Sequence, residues 1–320
     1  SITAKNRKTW FMQNNQEDLI SLKAHICLKN TFSGDPNYKD VKDTRLSFHE
    51  LTNTVFGFDL EDWYQKGFWS DRYNPYSFIV EGRVVANVSI NKMDVVLAGQ
   101  RHKAIQIGTV MTHPDYQKRG LAAKLMKHVL EIYAVDYHLF YLFANNDVLN
   151  FYPKFGFESL VRSQFVLDRK NITLHKLQMK KLDISKPEIL NMVYQMVTGR
   201  KPVSNVFGIE NGQNLFMYHC LYILNDCIYY LEEENILILC KKEGKALHIY
   251  DIVYSDESNF KKLAGILADE DIERFVFRFT PDLLNVDTIS SLLETDDGFF
   301  VKSDSIDIKG EFLSPLTAEA

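Results

Sequence analysis

Two stretches of this chain place reactive residue types at spacings that chemistry could use. The first, Thr109-Val-Met-Thr-His-Pro-Asp-Tyr-Gln-Lys-Arg-Gly-Leu-Ala122, runs from the end of a strand pattern straight into a helix pattern. Backbone N–H groups in the first turn of a helix have no intrahelical partner and carry partial positive charge, so they suit phosphate oxygens. Gly120 and the small Ala122 permit close backbone approach, and Lys118 and Arg119 add charge next to Gln117. A plain basic cap on a helix would use the same residues, because short glycine motifs are unspecific. The second stretch, Asn145-Asn-Asp-Val-Leu-Asn-Phe-Tyr-Pro-Lys-Phe-Gly-Phe157, follows a buried-strand pattern and carries the pair Phe151-Tyr152. A tyrosine here fits two roles. It is either a packed aromatic with its hydroxyl reaching water, or a cleft-facing hydroxyl that delivers a proton.

Together the two stretches resemble the GNAT acetyltransferase superfamily. Gln117, Gly120 and Ala122 match its motif Gln/Arg-x-x-Gly-x-Gly/Ala, and Asn145, Tyr152, Gly156 and Phe157 match its downstream Asn-x6-Tyr-x3-Gly-Phe pattern. One helix and one strand separate them, as in the family, and the resemblance spans roughly residues 7–165. It implies acetyl-CoA as cosubstrate and acetyl transfer to a primary amine on a small molecule or peptide. The backbone of Val110, Met111 and Thr112 would line the pantetheine arm, and Gln117, Lys118, Arg119, Gly120, Leu121 and Ala122 would hold the pyrophosphate. Asn145 would position cofactor near a split between strands, and Tyr152 would protonate the departing thiolate. Some histone-type members carry Glu where this chain has Gln106, and Gln takes up no proton at neutral pH. The base is then a bound water, His102 or a carboxylate of the substrate wall, while His113 before Pro114 reads as structural. Gln106 also keeps open a non-catalytic acyl-CoA-binding sensor, and a third reading makes the second half a protein-interaction module whose acidic balance recruits Lys-rich partners.

The resemblance puts the acceptor wall between the first two helices. There the chain reads Val55-Phe-Gly-Phe-Asp-Leu-Glu-Asp-Trp-Tyr64, followed by Phe68-Trp69 and Tyr73. Aromatics interleaved with Asp59, Glu61 and Asp62 suit a cationic amine. An acidic helix start over a packed aromatic face has the same composition.

The elements that must position these groups follow from periodicity. A strand is expected at 7–12, a helix through Leu19, Leu22, Ile26 and Cys27, turns over 33–44 and a helical region over 46–68. Strands at 77–80 and 83–90 flank a Glu81-Gly82 turn, and a strand at 104–112 stops at His113-Pro114. Leu121, Leu125, Val129 and Ile132-Tyr133 line one helix face, Leu139–Ala144 reads as a buried strand, and a short helix from Asp147 to Phe155 ends at Gly156. The fold class is therefore α/β (α+β), a mixed β-sheet flanked by helices.

The second half repeats part of this order. Strands are expected at 227–231, 236–240, 246–253, 274–279 and 299–302, with helices at 259–267 and 287–293. Where a phosphate turn should lie stands Ser255-Asp-Glu-Ser-Asn259, whose carboxylates would repel a polyanion. The expected division is a GNAT domain at 1–170 and a degenerate GNAT-like domain without a CoA site at 171–320. This tandem order loosely resembles Eis-type aminoglycoside acetyltransferases, which supports the architecture and not their substrate.

Composition bounds the rest. At 320 residues the chain exceeds one ordinary core, and 46% hydrophobic with 25% charged residues is typical of a globular protein. The net charge of −5 is uneven: residues 1–170 hold 22 Lys/Arg against 18 Asp/Glu, and 171–320 hold 15 against 24. That balance allows a polyanionic cofactor in the first half and a cationic ligand facing the second, or ordinary solvated surface. No nucleic-acid motif accompanies the short basic clusters. Cys27, Cys220, Cys227 and Cys240 show neither CxxC pairing nor zinc spacing, so no metal is expected and they read as reduced thiols of a cytoplasmic protein. No apolar run is long enough to cross a bilayer and the first residues form no signal-peptide core, so no membrane partner is expected. Nothing in the sequence speaks to oligomeric state.

Overall fold

The computed structural model describes residues 38–171, 179–254, 271–295 and 297–320. The strand expected at 7–12, the helices expected at 19–27 and 259–267, and the acidic segment 255–259 lie outside them.

Helix α1 (Lys42–Phe56) buries Phe48, Leu51 and Thr52 and ends where Gly57 turns left-handed, its N–H bonded to the carbonyl of Asn53. That glycine divides the single helical region expected at 46–68, and a short α2 (Glu61–Gln65) follows. Strands β1 (Tyr73–Val80), β2 (Arg83–Leu97) and β3 (Gln100–Thr112) then form an antiparallel meander. Both of its tight turns, Glu81-Gly82 and Ala98-Gly99, have positive φ at both central residues, the twist that two-residue hairpins favour. Strand β2 outruns the expected 83–90 because its buried apolar pattern continues to Leu97.

Helix α3 (Leu121–Tyr133) crosses over to β4 (Leu139–Asn145), which pairs parallel with β3. Residues 147–155 do not form the expected helix. They make two 3-10 turns, Asn146–Val148 and Tyr152–Phe155, the second begun by a proline at its start and closed by left-handed Gly156. Strands β5 (Glu158–Leu160) and β6 (Ser163–Asp168) follow, then β7 (Lys180–Lys181), α4 (Pro187–Val197), β8 (Phe207–Glu210) and α5 (Gln213–Tyr222). The remaining strands are β9 (Ile228–Leu231), β10 (Ile236–Glu243), β11 (Ala246–Val253), β12 (Arg274–Phe277), β13 (Ile289–Leu292) and β14 (Asp297–Lys302). The helix expected at 287–293 is thus the strand β13, which pairs with β6.

Two mixed sheets result. The first runs β1-β2-β3-β4-β14-β5 with β8 on the far end of β2, and the second runs β13-β6-β12-β11-β10-β9-β7. Each has one parallel pair, β3/β4 and β11/β12, with antiparallel neighbours on either side. The chain also trades strands across residue 170. Strand β6 pairs with β12 in the second sheet, while β14 pairs with β4 in the first, so each occupies the place beside the other half's parallel pair. Between the sheets α1 and α2 share a core with α4 and α5, through Phe48, Trp63, Trp69, Val193, Phe216 and Leu237.

Candidate active site

The site begins with a fault in β3. Asn87 of β2 pairs with Met111 and Ser89 with Gly108, so two steps on β2 span three on β3. The extra residue bends the strand, and Thr109 takes a φ of +50°, a conformation costly for a β-branched side chain. Its surroundings hold it there: Asn87 Nδ2 donates to the Thr109 carbonyl at 2.9 Å, and the Tyr73 and Thr109 hydroxyls lie 2.8 Å apart. Parallel pairing of β3 with β4 stops at Ile107 and Leu142, and beyond it the strands diverge. Their facing edges carry unpaired backbone groups, which suit the amides of an extended ligand arm. A cavity of about 700 Å³ fills this fork.

The structure brings most of the expected cofactor residues to that cavity. Val110, Met111, Thr112, Gln117, Lys118, Ala122, Asn145 and Tyr152 all line it. At its far end Gly120 has a φ of +72° and precedes α3 without any side-chain cap, and the first turn of α3 carries no acidic residue. The N–H groups of that turn are therefore free for an anion, and Lys118 (φ 62°) and Gly120 both take left-handed conformations in the turn that leads into it. Gly120 and Leu121 sit at this helix start but do not line the cavity. Arg119 turns away: it donates to the Asp115 carbonyl at 2.9 Å and stacks 4.8 Å over the Tyr116 ring.

Tyr152 is only 5% exposed, packed against Phe151, Phe157 and Phe300. Burial pushes its phenol up to about 12, so it keeps its proton throughout the neutral range. Gln106 is fully buried, donates through Nε2 to the Ala318 carbonyl at 2.8 Å and does not line the cavity. His102 lies seven residues before the bulge, about 20 Å along the strand. His113 accepts the Asp115 N–H through Nδ1 at 3.3 Å and caps the turn at Pro114–Tyr116.

The acidic residues of the segment expected to wall the acceptor each have a partner inside the protein. Asp59 accepts the Glu61 N–H at 3.0 Å, Glu61 meets Arg45 at 2.9 Å and His49 at 3.0 Å, and Asp62 pairs with Lys66 at 2.7 Å. The aromatics of that segment pack the wall itself. Sequence reasoning did not find two cavity residues from the far half, Tyr218 on α5 and Ala320. Ala320 arrives through a pinned tail: His219 Nε2 donates to the Glu319 carbonyl at 2.7 Å, and Thr317 bonds Asp251, which Arg200 holds at 2.9 Å. A Cβ on Gly108 would lie 3.3 Å from that of Ala320, so glycine lets the tail reach β3. No local spacing signals such contacts, since they join residues far apart in the chain, 66 for Thr317 and Asp251 and 100 for His219 and Glu319.

Fold and site together define an α/β protein with a ligand cleft at a parallel-strand fork, closed by an uncapped helix start. Residues 38–160 match the family model described as an acetyltransferase (GNAT) domain, so the chain carries a GNAT acetyltransferase domain and is an acyltransferase. No curated protein matches it in sequence. Its fold is similar to that of a probable N-acyltransferase from Enterococcus faecalis, at 16% identity and TM-score 0.52 over 82% of this chain and 70% of that one. It is also similar to a GCN5-related N-acetyltransferase from Kribbella flavida (15%, TM-score 0.52, 82% and 69% covered). Eis1 from Mycobacterium abscessus shares the fold at 13% identity and TM-score 0.53, with 82% of this chain and 71% of that one covered. Among the described residues no helix is long and apolar enough to cross a membrane, and no group of three or more His, Cys, Asp or Glu is placed to hold a metal.

Proposed function

We propose that the chain transfers acetyl from acetyl-CoA directly to a primary amine, with Tyr152 as the general acid. The observation that carries this reading is that Tyr152 shares one cleft with the strand fork and the uncapped helix start. The open backbone edge of Val110, Met111 and Thr112 fits an extended pantetheine arm, and the α3 first turn with Gln117 and Lys118 fits a pyrophosphate. In the reaction the neutral amine nitrogen attacks the thioester carbonyl, the C–S bond breaks, the nitrogen gives up one proton to water, and the departing thiolate needs one. Tyr152 holds one at every physiological pH. Holding both reactants in one cleft supplies much of the rate.

The second half, on this reading, binds no CoA of its own and closes the acceptor side with Tyr218 and Ala320. Buried free thiols at Cys220, Cys227 and Cys240 fit a cytoplasmic protein.

Tyr152→Phe tests the role. It keeps the ring in its aromatic nest and removes the proton, so turnover should fall ~10²–10⁴-fold while acetyl-CoA affinity stays within a few-fold. Thiol release with single-turnover kinetics and calorimetry measure the two. Turnover near that of the parent, with chemistry rate-limiting, would remove Tyr152 from the mechanism.

A further inference from the structure

The threonine at the bulge of β3 ends a buried polar network whose hydrogen-bond directions can be worked out. Asn87 is fully buried, and its Nδ2 donates to the Thr109 carbonyl at 2.9 Å and to Ser89 Oγ at 2.8 Å. A carbonyl only accepts, so the Thr109 carbonyl fixes which end of the Asn87 amide is nitrogen. Asn87 Oδ1 then accepts from Ser77 Oγ at 2.9 Å, and Ser77 accepts from Tyr38 at 2.8 Å. On the other side Ser89, also fully buried, accepts from Asn87 and turns its own proton to the adjacent Tyr73 hydroxyl. The Tyr73 proton is left for Thr109 Oγ1, 2.8 Å away. Burial pushes the Tyr73 phenol well above its ordinary value, so that proton stays in place.

Thr109 Oγ1 thus accepts from inside the protein, and its own proton has no acceptor among the described residues. Thr109 lines both the main cleft and a smaller pocket beside it, so this donor stands where the two meet. A pyrophosphate at the start of α3 would lie beyond Thr112. An arm running back along Thr112, Met111 and Val110 brings its acyl end to Thr109, where β3 and β4 part.

We infer, resting on the acetyl-transfer reading, that Thr109 is a catalytic side chain whose hydroxyl donates to the thioester carbonyl oxygen and stabilises it as an oxyanion. When the amine attacks, the carbonyl π pair moves onto oxygen, and it returns as the C–S bond breaks. Thr109 keeps its proton throughout. The amine nitrogen is the wrong partner for that proton, since a donor there would hold the lone pair that must attack. A donor already aimed at the developing charge needs no reorganisation during the reaction. Asn87, Ser89 and Tyr73 are the positioning residues that aim it.

Three variants of the full chain test this. Thr109→Val keeps the β-branched shape and removes the donor, Thr109→Ser restores a hydroxyl, and Tyr73→Phe leaves the hydroxyl in place but unaimed. Infrared difference spectra of bound acetyl-CoA, isotopically labelled at the carbonyl carbon, read the contact without any acceptor. The carbonyl band should lie at lower wavenumber in the parent and Thr109→Ser than in Thr109→Val, with Tyr73→Phe between them. Turnover is read by thiol release with 2-phenylethylamine, spermidine and a lysine-containing peptide. For the amine the parent uses fastest, kcat should fall ~10²–10³-fold in Thr109→Val, less in Tyr73→Phe and least in Thr109→Ser. Acetyl-CoA affinity by calorimetry should change by no more than a few-fold. Should Thr109→Val fail to fold, Tyr73→Phe decides, because phenylalanine keeps the ring against Trp63 and Trp69. An unmoved band in the folded variants would overturn the contact. Parental kcat in Thr109→Val, or a loss of affinity as large as the loss of turnover, would overturn the catalytic role. A shifted band without thiol release to any amine or to water would keep the hydrogen bond and count against acetyl transfer. A parent that binds no acetyl-CoA would overturn both.

Discussion

Thr109 shows how much of the site rests on a single backbone angle. Its positive φ ends the β3/β4 pairing and opens the fork, yet threonine is a residue type that sequence reasoning places in regular strand. The bulge was therefore invisible in the sequence, whereas the places of Gly120 before α3 and of Tyr152 in the cleft were legible from residue type at fixed spacing. Glu319 was equally hidden. Its significance comes from Arg162 and Ser314, which it meets at 3.3 and 3.0 Å. Arg162 also holds Asp297 at 2.7 Å, and burial pushes the Glu319 carboxyl up to about 7. The folded chain thus binds a proton that the unfolded chain releases above its ordinary value near 4.5. The stability this gives is full below that value and is lost as pH rises through about 7. His219, lowered to about 4 by burial, has the opposite slope between 4 and its ordinary 6.5, so the comparison needs a variant. Relative to Glu319→Gln, the parent should lose on the order of 2 kcal/mol between pH 5 and 8. Urea unfolding at both values measures this, and parallel pH dependence in the two proteins would refute it.

At the scale of elements, hairpins and the crossover helix were readable because their signals are local. Glu81-Gly82 sets one turn, and the stripe through Leu125 and Val129 sets α3. Strand β13 was misread as a helix because Ile289, Leu292 and Leu293 mimic helical spacing, while the partner that fixes it as a strand, β6, lies over 120 residues earlier. Strand β8 is another such case. It takes the edge of β2 at Asp94–Leu97, beyond the reach of β1, and brings Phe207 and Ile209 into the core around Tyr141 and Phe299. Gly208 makes that docking possible. A Cβ there would meet the Ser204 carbonyl and lie 2.7 Å from the Pro202 Cβ, with backbone on one side unable to yield. Gly208→Ala should cost roughly 1–3 kcal/mol, the range for overpacking. It should also raise exchange of the β8 amides more than those of β10, and uniform protection with an unchanged melting temperature would show that this loop yields freely.

At the scale of the whole molecule, the strand exchange decides whether the first half can stand alone. Cutting after residue 170 would keep β1 to β6 and α1 to α3 but remove β14, which is the partner of both β4 and β5. It would also strip β6 of β12 and β13, leaving the fragment with open strand edges on two sides. The apolar face around Leu139 and Tyr141 would lose Phe207, Phe299 and Phe312, and Trp63 would lose the Tyr222 hydroxyl and the Asn214 carbonyl. Burying one such aromatic is worth roughly 1.5–3 kcal/mol, against about 5–15 for a whole domain, so the loss of several exceeds what the fragment can bear. The 1–170 fragment should therefore aggregate or lose its near-ultraviolet dichroism, and bind no acetyl-CoA. The intact chain should bind one molecule, because the fork of the first sheet supplies both the open strand edge and the uncapped helix start. Calorimetry and size-exclusion chromatography on both proteins check these outcomes. A monomeric fragment with native dichroism and parental affinity would mean that the shared strands are dispensable, and two molecules bound per intact chain would place a second cofactor site in the other half.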